Sequence, residues 1–488
     1  MGKCKEQVCC TSRHPPSPRD LARQPRSDTI NPAARLSLTA RSSCCSGPWN
    51  SFSTMKAPWL FLNIALVAAR EQVTYNGDQV LRISVNSQKQ FNLVKSLEQL
   101  ENLKLDFWKE PVRSSLPVDL RIPAKHVNAI KIFLRSNDIA YSVMIKNLQS
   151  LVDEECIGGL ISELRQNGTY TFNYRSYHPR QNGTYTFNYR SYHPLKEIYR
   201  WIKNIAAENP QLVRRMRIGR SSQGRAIYVL KFSTGHGHPA VWIDGGIHGR
   251  EWIAPAVAIW MAKKITTDYG NNTSFTSLLN KIDIFMVIMA NPDGYVYSQT
   301  KNRMWRKTMS KSPGTHCFGV DPNRNFDANF GGNGSSRVPC SESYCGPHAH
   351  SEPEVKAIVD FIKKHGNFVA FITLHSYSQR LMYPYGYTQD TPENVEELDT
   401  LAREATEALA SLYGTRYSHG SIIQVIDERS GNSIDWSYNQ GIRYSYAFEL
   451  RDEGQYGFML PRSRIVPTAE ETWLAVKKIM EHASTHLP

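Results

Sequence analysis

A chain of 488 residues with 41% hydrophobic and 21% charged residues has the composition of an ordinary soluble globular protein and the length for two or three folded units. A formal charge of +14 would suit nucleic acid, but residues 1–54 alone hold eight Lys/Arg against three Asp/Glu, so part of the excess lies outside any fold. The other basic clusters, such as Arg214-Arg215-Met216-Arg217, are short, read as solvated faces and accompany no DNA or RNA motif, which argues against a nucleic-acid partner.

Residues 1–54 are rich in Ser, Arg, Pro and paired Cys, show no apolar periodicity and read as a disordered leader. A second start follows. Residues 55–69 open with one lysine, continue with an apolar run and end in small residues, the pattern of a secretory signal peptide. Met55 is therefore the expected true start, with 1–54 a non-native upstream translation. The apolar run is too short to span a bilayer, so no membrane span is expected and the product is secreted. Sequons at Asn167, Asn182, Asn271, Asn272 and Asn333 are compatible with secretion. Of nine cysteines, five lie in the leader, leaving Cys156, Cys317, Cys340 and Cys345.

Residues 70–164 alternate strand and helix. Strands are predicted over 77–85, 118–123 and 139–145, helices over 88–103 and 124–138, and a further helix over 148–155. This suggests a small α+β unit of split βαβ type. The fifteen-residue stretch RQNGTYTFNYRSYHP then occurs twice in tandem, at 165–179 and 180–194. Two identical copies make no solenoid, and a duplicated connector is the expectation. Arg165 and Arg180 each open a copy in a segment of the kind proteases nick.

From 195 to 488, strands are predicted at 240–247, 282–290, 368–375 and 444–450, the second ending in a turn at NPDGY. Helices are predicted at 254–270, 351–366, 393–414 and 469–483. The alternation argues for an α/β domain with a parallel or mixed sheet.

Sites in open α/β sheets collect beyond the carboxyl ends of strands. His248 and Glu251, in GGIHGREWI, lie just past one predicted strand, and His375 ends another. Two imidazoles and one carboxylate suit Zn2+ with a fourth position for water, although a lone His375 also suits a satisfied core histidine. In YSYAFEL, alternation puts Ser445, Ala447 and Glu449 on one face. A carboxylate in a buried strand is costly unless compensated, so Glu449 invites either a functional role or a structural salt bridge. Asn323 and Arg324 sit side by side in a loop, and Arg306 lies in MWRK. Guanidinium groups grip carboxylates bidentately, but each residue alone also reads as surface.

HGREW, NPDGY, WRK, DPNRN, LHSYSQ, SIDW and FELRD occur in the order found in pancreatic-type zinc carboxypeptidases. From about Gln72 to its end the chain resembles a procarboxypeptidase of the A subfamily. The resemblance implies a mixed eight-stranded α/β sheet flanked by helices, preceded by a ferredoxin-like α+β prodomain. It implies a zinc-dependent exopeptidase, made as a zymogen and monomeric, acting on peptide and protein C-termini after cleavage by a trypsin-like protease. His248, Glu251 and His375 would bind one Zn2+, with Asp321 orienting His248. Glu449 would be the general base toward water on the metal, and Arg306 would stabilise the oxyanion. Asn323 and Arg324 would hold the terminal carboxylate, with Arg250 assisting along the groove. Cys317 and Cys340 would form the family's disulfide, leaving Cys345 free or paired with Cys156. Ile434 stands at the base of the side-chain pocket and Ala447 widens it, which implies aromatic or aliphatic C-terminal residues. Asp427 replaces a tyrosine that closes on substrate. A secreted peptide-binding protein with turnover impaired by Asp427 is the competing reading, and a matrix- or heparin-binding role a weaker third.

Overall fold

The computed structural model describes residues 72–114, 116–155, 180–181, 184–185 and 187–486. The leader, the signal segment, Cys156, Arg165 and most of the duplicated stretch lie outside the described residues.

Strands β1 (Gln79–Ile83), β2 (Asp106–Lys109), β3 (Val118–Ile122) and β4 (Tyr141–Ile145) form a sheet in the order β2-β3-β1-β4, antiparallel throughout. Helices Gln88–Ser96 and Val127–Ser136 pack their apolar stripes on it, burying Phe91, Val94, Ile130 and Leu134 against Leu81 and Leu120. The order βαββαβ is the ferredoxin-like arrangement. Three strands were predicted and four are present. Strand β2 escaped notice because its buried residues are Asp106 and Trp108, which face the larger unit, and a buried aspartate breaks the apolar alternation. The first helix also stops at Ser96 rather than 103, giving way to two short 3-10 turns.

A two-residue ladder, β5 (Arg180–Gln181) with β6 (Thr184–Tyr185), follows. The end of the second repeat copy is more than a tether. Phe187, Tyr189 and Tyr192 pack against the core of the larger unit, and the Tyr192 hydroxyl donates to the Leu460 carbonyl at 2.7 Å.

The large sheet contains β7 (Val213–Arg220), β8 (Ala226–Phe232), β9 (Ala240–Gly245), β10 (Asp283–Val287), β11 (Phe368–Ser376), β12 (Arg380–Tyr383), β13 (Ser418–Ser421) and β14 (Tyr444–Leu450). Their order is β13-β12-β14-β11-β9-β10-β8-β7. Strands β14, β11, β9 and β10 run parallel, while β8, β7 and β12 join antiparallel. Every residue of β9, β10 and β11 is buried, as expected for central parallel strands covered on both faces. One face carries helices Ile253–Asp268, Val395–Tyr413 and Ile465–Ala483, and the other Pro353–His365. Strand β14 keeps the predicted alternation, with Tyr444, Tyr446 and Phe448 in one core and Ala447 in the other. Arg214, Arg215 and Arg217 lie exposed on the edge strand β7, where charge discourages strand addition. NPDGY, predicted as a turn, instead opens helix Pro292–Thr300. The Asn291 side chain caps it by accepting from the Gly294 N–H, and Pro292 fits its first turn. Among the described residues no helix is long and apolar enough to cross a membrane.

Candidate active site

The carboxyl ends of β9, β11 and β14 deliver the predicted residues to one place. His375 and Glu449 are register partners on adjacent parallel strands. His248 and Glu251 arrive on the loop after β9, whose path depends on Gly249. A Cβ there would stand 2.5 Å from the Gly294 carbonyl oxygen and 2.8 Å from that of Trp305.

Three donor atoms converge. His248 Nδ1 lies 2.8 Å from Glu251 Oε1 and 3.2 Å from His375 Nδ1, which is 3.3 Å from Glu251 Oε2. All three side chains are buried. Ligands about 2.0–2.2 Å from a tetrahedral ion lie roughly 3.3–3.6 Å apart, so this donor set fits zinc with little adjustment. Asp321 accepts from the far side of His248, its Oδ1 3.1 Å from Nε2, the partner such a histidine requires. Burial works against the Asp321 carboxylate, but Arg306, Arg324 and His248 hold it well below the usual range. Burial likewise opposes charge on Glu251, and the two imidazoles overcome it and hold the carboxyl low.

Glu449 behaves oppositely. Burial pushes its carboxyl up to about 7, against the pull of His375, Arg306 and Arg380. Such a group changes protonation near neutrality, as a general base requires. Arg306 donates to Asp321 Oδ2 at 2.9 and 3.1 Å and lies 3.6 Å from Glu251.

The cleft above these residues is lined by Asn323, Arg324, Ile434 and Ala447. Asn323 is oriented by accepting from the Ser433 N–H at 2.9 Å, and Arg324 by donating to the Gly334 carbonyl at 2.7 Å. Arg250 is engaged by the small N-terminal unit, its Nη1 3.0 Å from Asp106. Phe107, Trp108, Lys109 and Glu110 of that unit line the same cleft. Asp427 is half-buried and does not line it; its backbone N–H donates to the Ile422 carbonyl at 3.2 Å. Cys317 and Cys340 form the disulfide, and buried Cys345 has no disulfide partner among the described residues. His316 lies near those two sulfurs, but bonded to each other they offer no thiolate to a metal.

Sequence reasoning missed several contributors. Behind His375, Thr373 Oγ1 lies 3.2 Å from Nε2 and donates to Asp244 at 2.7 Å; Trp242 donates to the same carboxylate. Asp244 carried a signal, a carboxylate inside an apolar strand. Tyr377, Arg380 and Arg429 also line the cleft, without a local pattern to mark them.

Fold and site together define a metal-dependent peptidase lying under its own prosegment. A family model described as zinc carboxypeptidase matches residues 198–475, and one described as carboxypeptidase activation peptide matches residues 81–155. The chain belongs to the zinc carboxypeptidase family and is a carboxypeptidase A-like zymogen. It is 51% identical over 428 residues to carboxypeptidase A1 of Sus scrofa, a match covering 88% of this chain and 99% of that protein. It is 52% identical over 415 residues to carboxypeptidase A2 of Mus musculus, covering 85% and 96%. The crystal structure of thrombin activatable fibrinolysis inhibitor superposes with a TM-score of 0.75 at 35% identity, over 85% of this chain and 100% of that one. Carboxypeptidase A from Helicoverpa armigera gives 0.74 at 26% identity, over 85% and 99%.

Proposed function

We propose a secreted, monomeric exopeptidase that removes aromatic or aliphatic residues from peptide and protein C-termini. Its parts are a signal peptide at 55–69, a prosegment at 70–164, a connector at 165–194 and a catalytic unit at 195–488. A trypsin-like protease cuts the connector at Arg165 or Arg180. One Zn2+ per chain, held by His248, Glu251 and His375, supplies Lewis acidity toward water and the peptide carbonyl. Asn323 and Arg324 bind the terminal carboxylate, and Arg250 joins them once Asp106 has left. Glu449 accepts a proton from the attacking water and passes it to the departing amine. Arg306 donates to the oxygen on which negative charge develops. Ile434 and Ala447 receive the departing side chain.

The observation that carries this reading is the convergence of three metal-type donors within 3.3 Å, beside a carboxyl raised to about 7. The test is expression from Met55, trypsin treatment, and assay on peptides differing only in the last residue, with bound metal measured. Expected are one zinc per catalytic unit, loss of cleavage on chelation, and recovery with Zn2+. His375→Ala should lose metal, whereas Glu449→Gln should keep metal and lose turnover. A fully active Glu449→Gln enzyme would remove Glu449 from the mechanism.

A further inference from the structure

The cleft holds more positive charge than one terminal carboxylate needs. Asn323, Arg324 and Arg250 suffice for that group, yet Arg429 is a further cation on the same wall. Its backbone is pinned. The N–H donates to the Gly386 carbonyl at 2.7 Å, and its carbonyl accepts from Asn432 Nδ2 at 2.8 Å. Gly386 and Asn432 in turn donate to buried Asp435. The loop therefore fixes the Arg429 backbone, and its side chain lines the cleft.

With the prosegment in place the Arg429 side chain is 12% exposed, and Glu110 is its ion-pair partner, with Nη2 and Oε2 3.1 Å apart. Among the described residues no acid of the catalytic unit pairs with it. Glu110 belongs to the prosegment, one residue after β2, and lines the cleft. It influences Arg324 as well, and Arg429 is close enough for its positive charge to oppose that of Arg324. Glu110 thus places one carboxylate among the groups that receive substrate.

Activation removes that carboxylate and opens the cleft, leaving Arg429 without its ion-pair partner on a lining it shares with Ile426 and Ile434. A terminal side chain that covers the cleft again buries this charge, which is costly unless the side chain brings a carboxylate in place of Glu110. Resting on the carboxypeptidase reading above, we propose that Arg429 binds a second carboxylate, the side chain of a C-terminal Glu or Asp. Peptides with acidic ends are then substrates alongside apolar ones, and Glu110 occupies their subsite in the zymogen. One terminal residue carries both anions, its α-carboxylate on Arg324 and its side chain on Arg429. Lysine and arginine ends meet like charge and are rejected.

The test uses the trypsin-activated, zinc-loaded enzyme and peptides identical but for a terminal Phe, Glu, Asp or Lys. Wild type should cut Glu and Phe ends and spare Lys. In Arg429→Ala the Glu-to-Phe ratio of kcat/KM should fall roughly 10- to 150-fold, the loss of a charge-assisted hydrogen bond, and chiefly through KM. General damage to the fold cancels in that ratio. Arg429→Lys, which keeps the charge, should recover much of it. Calorimetry should show free L-glutamate binding more weakly to Arg429→Ala than to wild type. A ratio unmoved by Arg429→Ala overturns the proposal, as does wild type that cuts Phe ends and leaves Glu ends intact. If neither end is cut, the carboxypeptidase reading fails and takes this inference with it.

Discussion

Asp106 is where the prosegment neutralises a cation that lines the cleft. Its two oxygens lie 3.0 and 3.2 Å from Arg250 Nη1, with the side chains 11% and 2% exposed. Trp108 Nε1 donates to the same carboxylate at 3.1 Å, and the Arg250 guanidinium lies over the Phe458 ring at 4.2 Å. Asp106→Asn keeps the shape and removes the charge. Hydrogen bonds to a charged partner contribute about 1.5–3 kcal/mol, so the closed state should weaken roughly 10- to 150-fold relative to the open one. Asp106→Ala goes further, because a buried ion left alone costs about 3–5 kcal/mol, or roughly 150- to 5000-fold. Other anchors persist. Glu155 grips Arg303 at 2.6 and 3.0 Å, Asp119 accepts from the Tyr377 hydroxyl at 2.8 Å, and Arg82 donates to the Glu453 carbonyl at 2.6 Å. The prosegment should therefore stay attached while opening more often. The assay is kcat/KM of uncut chain, protected by Arg165→Ala and Arg180→Ala, as a fraction of the processed enzyme, with a gel confirming that the chain is whole. The fraction should rise in the order wild type, Asn, Ala. After processing, the Asp106 variants must match wild type, because Asp106 has left with the prosegment. An uncut Asp106→Ala chain as silent as wild type would refute the reasoning and place latency on the other anchors.

Arg380 faces Glu449 across the β12–β14 register and helps pull its carboxyl down from the height to which burial lifts it. A general base works only when ionised, so kcat/KM should fall on the acid side, at a pH that the charge of zinc draws below about 7. Arg380→Met should move that limb to higher pH by roughly half a unit or more, and an unmoved limb would remove Arg380 from the electrostatics of the site. Gly249→Ala drives a methyl group into two backbone carbonyls 2.5 and 2.8 Å away, so zinc should be released at lower chelator concentrations and the Tm should drop. Zinc retention equal to wild type would show that the loop can yield. Asp427→Tyr should raise kcat/KM roughly 10- to 150-fold if the hydroxyl bonds a charged group on substrate, with a smaller gain for Asp427→Asn. Unchanged kinetics in both would mean that this loop never reaches substrate.

The candidate metal ligands were legible because covalent spacing and strand alternation are local. His248 and Glu251 share a short loop, His375 ends an apolar run, and Glu449 interrupts another. The groups that regulate and tune the site had no local mark. Arg250 finds Asp106 at a separation of 144 residues, and Arg429 meets Glu110 across the prosegment boundary. Strand β2 was missed for the same reason, since its buried aspartate makes sense only beside Arg250. Sequence can reveal that a charge will be buried, because apolar neighbours surround it. It cannot name the partner, because the partner comes from another element. Asp244, Asp106 and Glu449 pose the same problem, a carboxylate in a strand that packs. Asp244 is answered by Trp242 and Thr373, and Asp106 by Arg250 and Trp108. Glu449 accepts no hydrogen bond from any described residue, and its carboxyl is raised to about 7 rather than held down. A half-buried acid that the fold leaves without a donor is free to exchange its proton with something the fold does not contain. That distinction separates the structural carboxylates here from the one proposed to react, and it rests on the company each keeps rather than on residue type or local pattern.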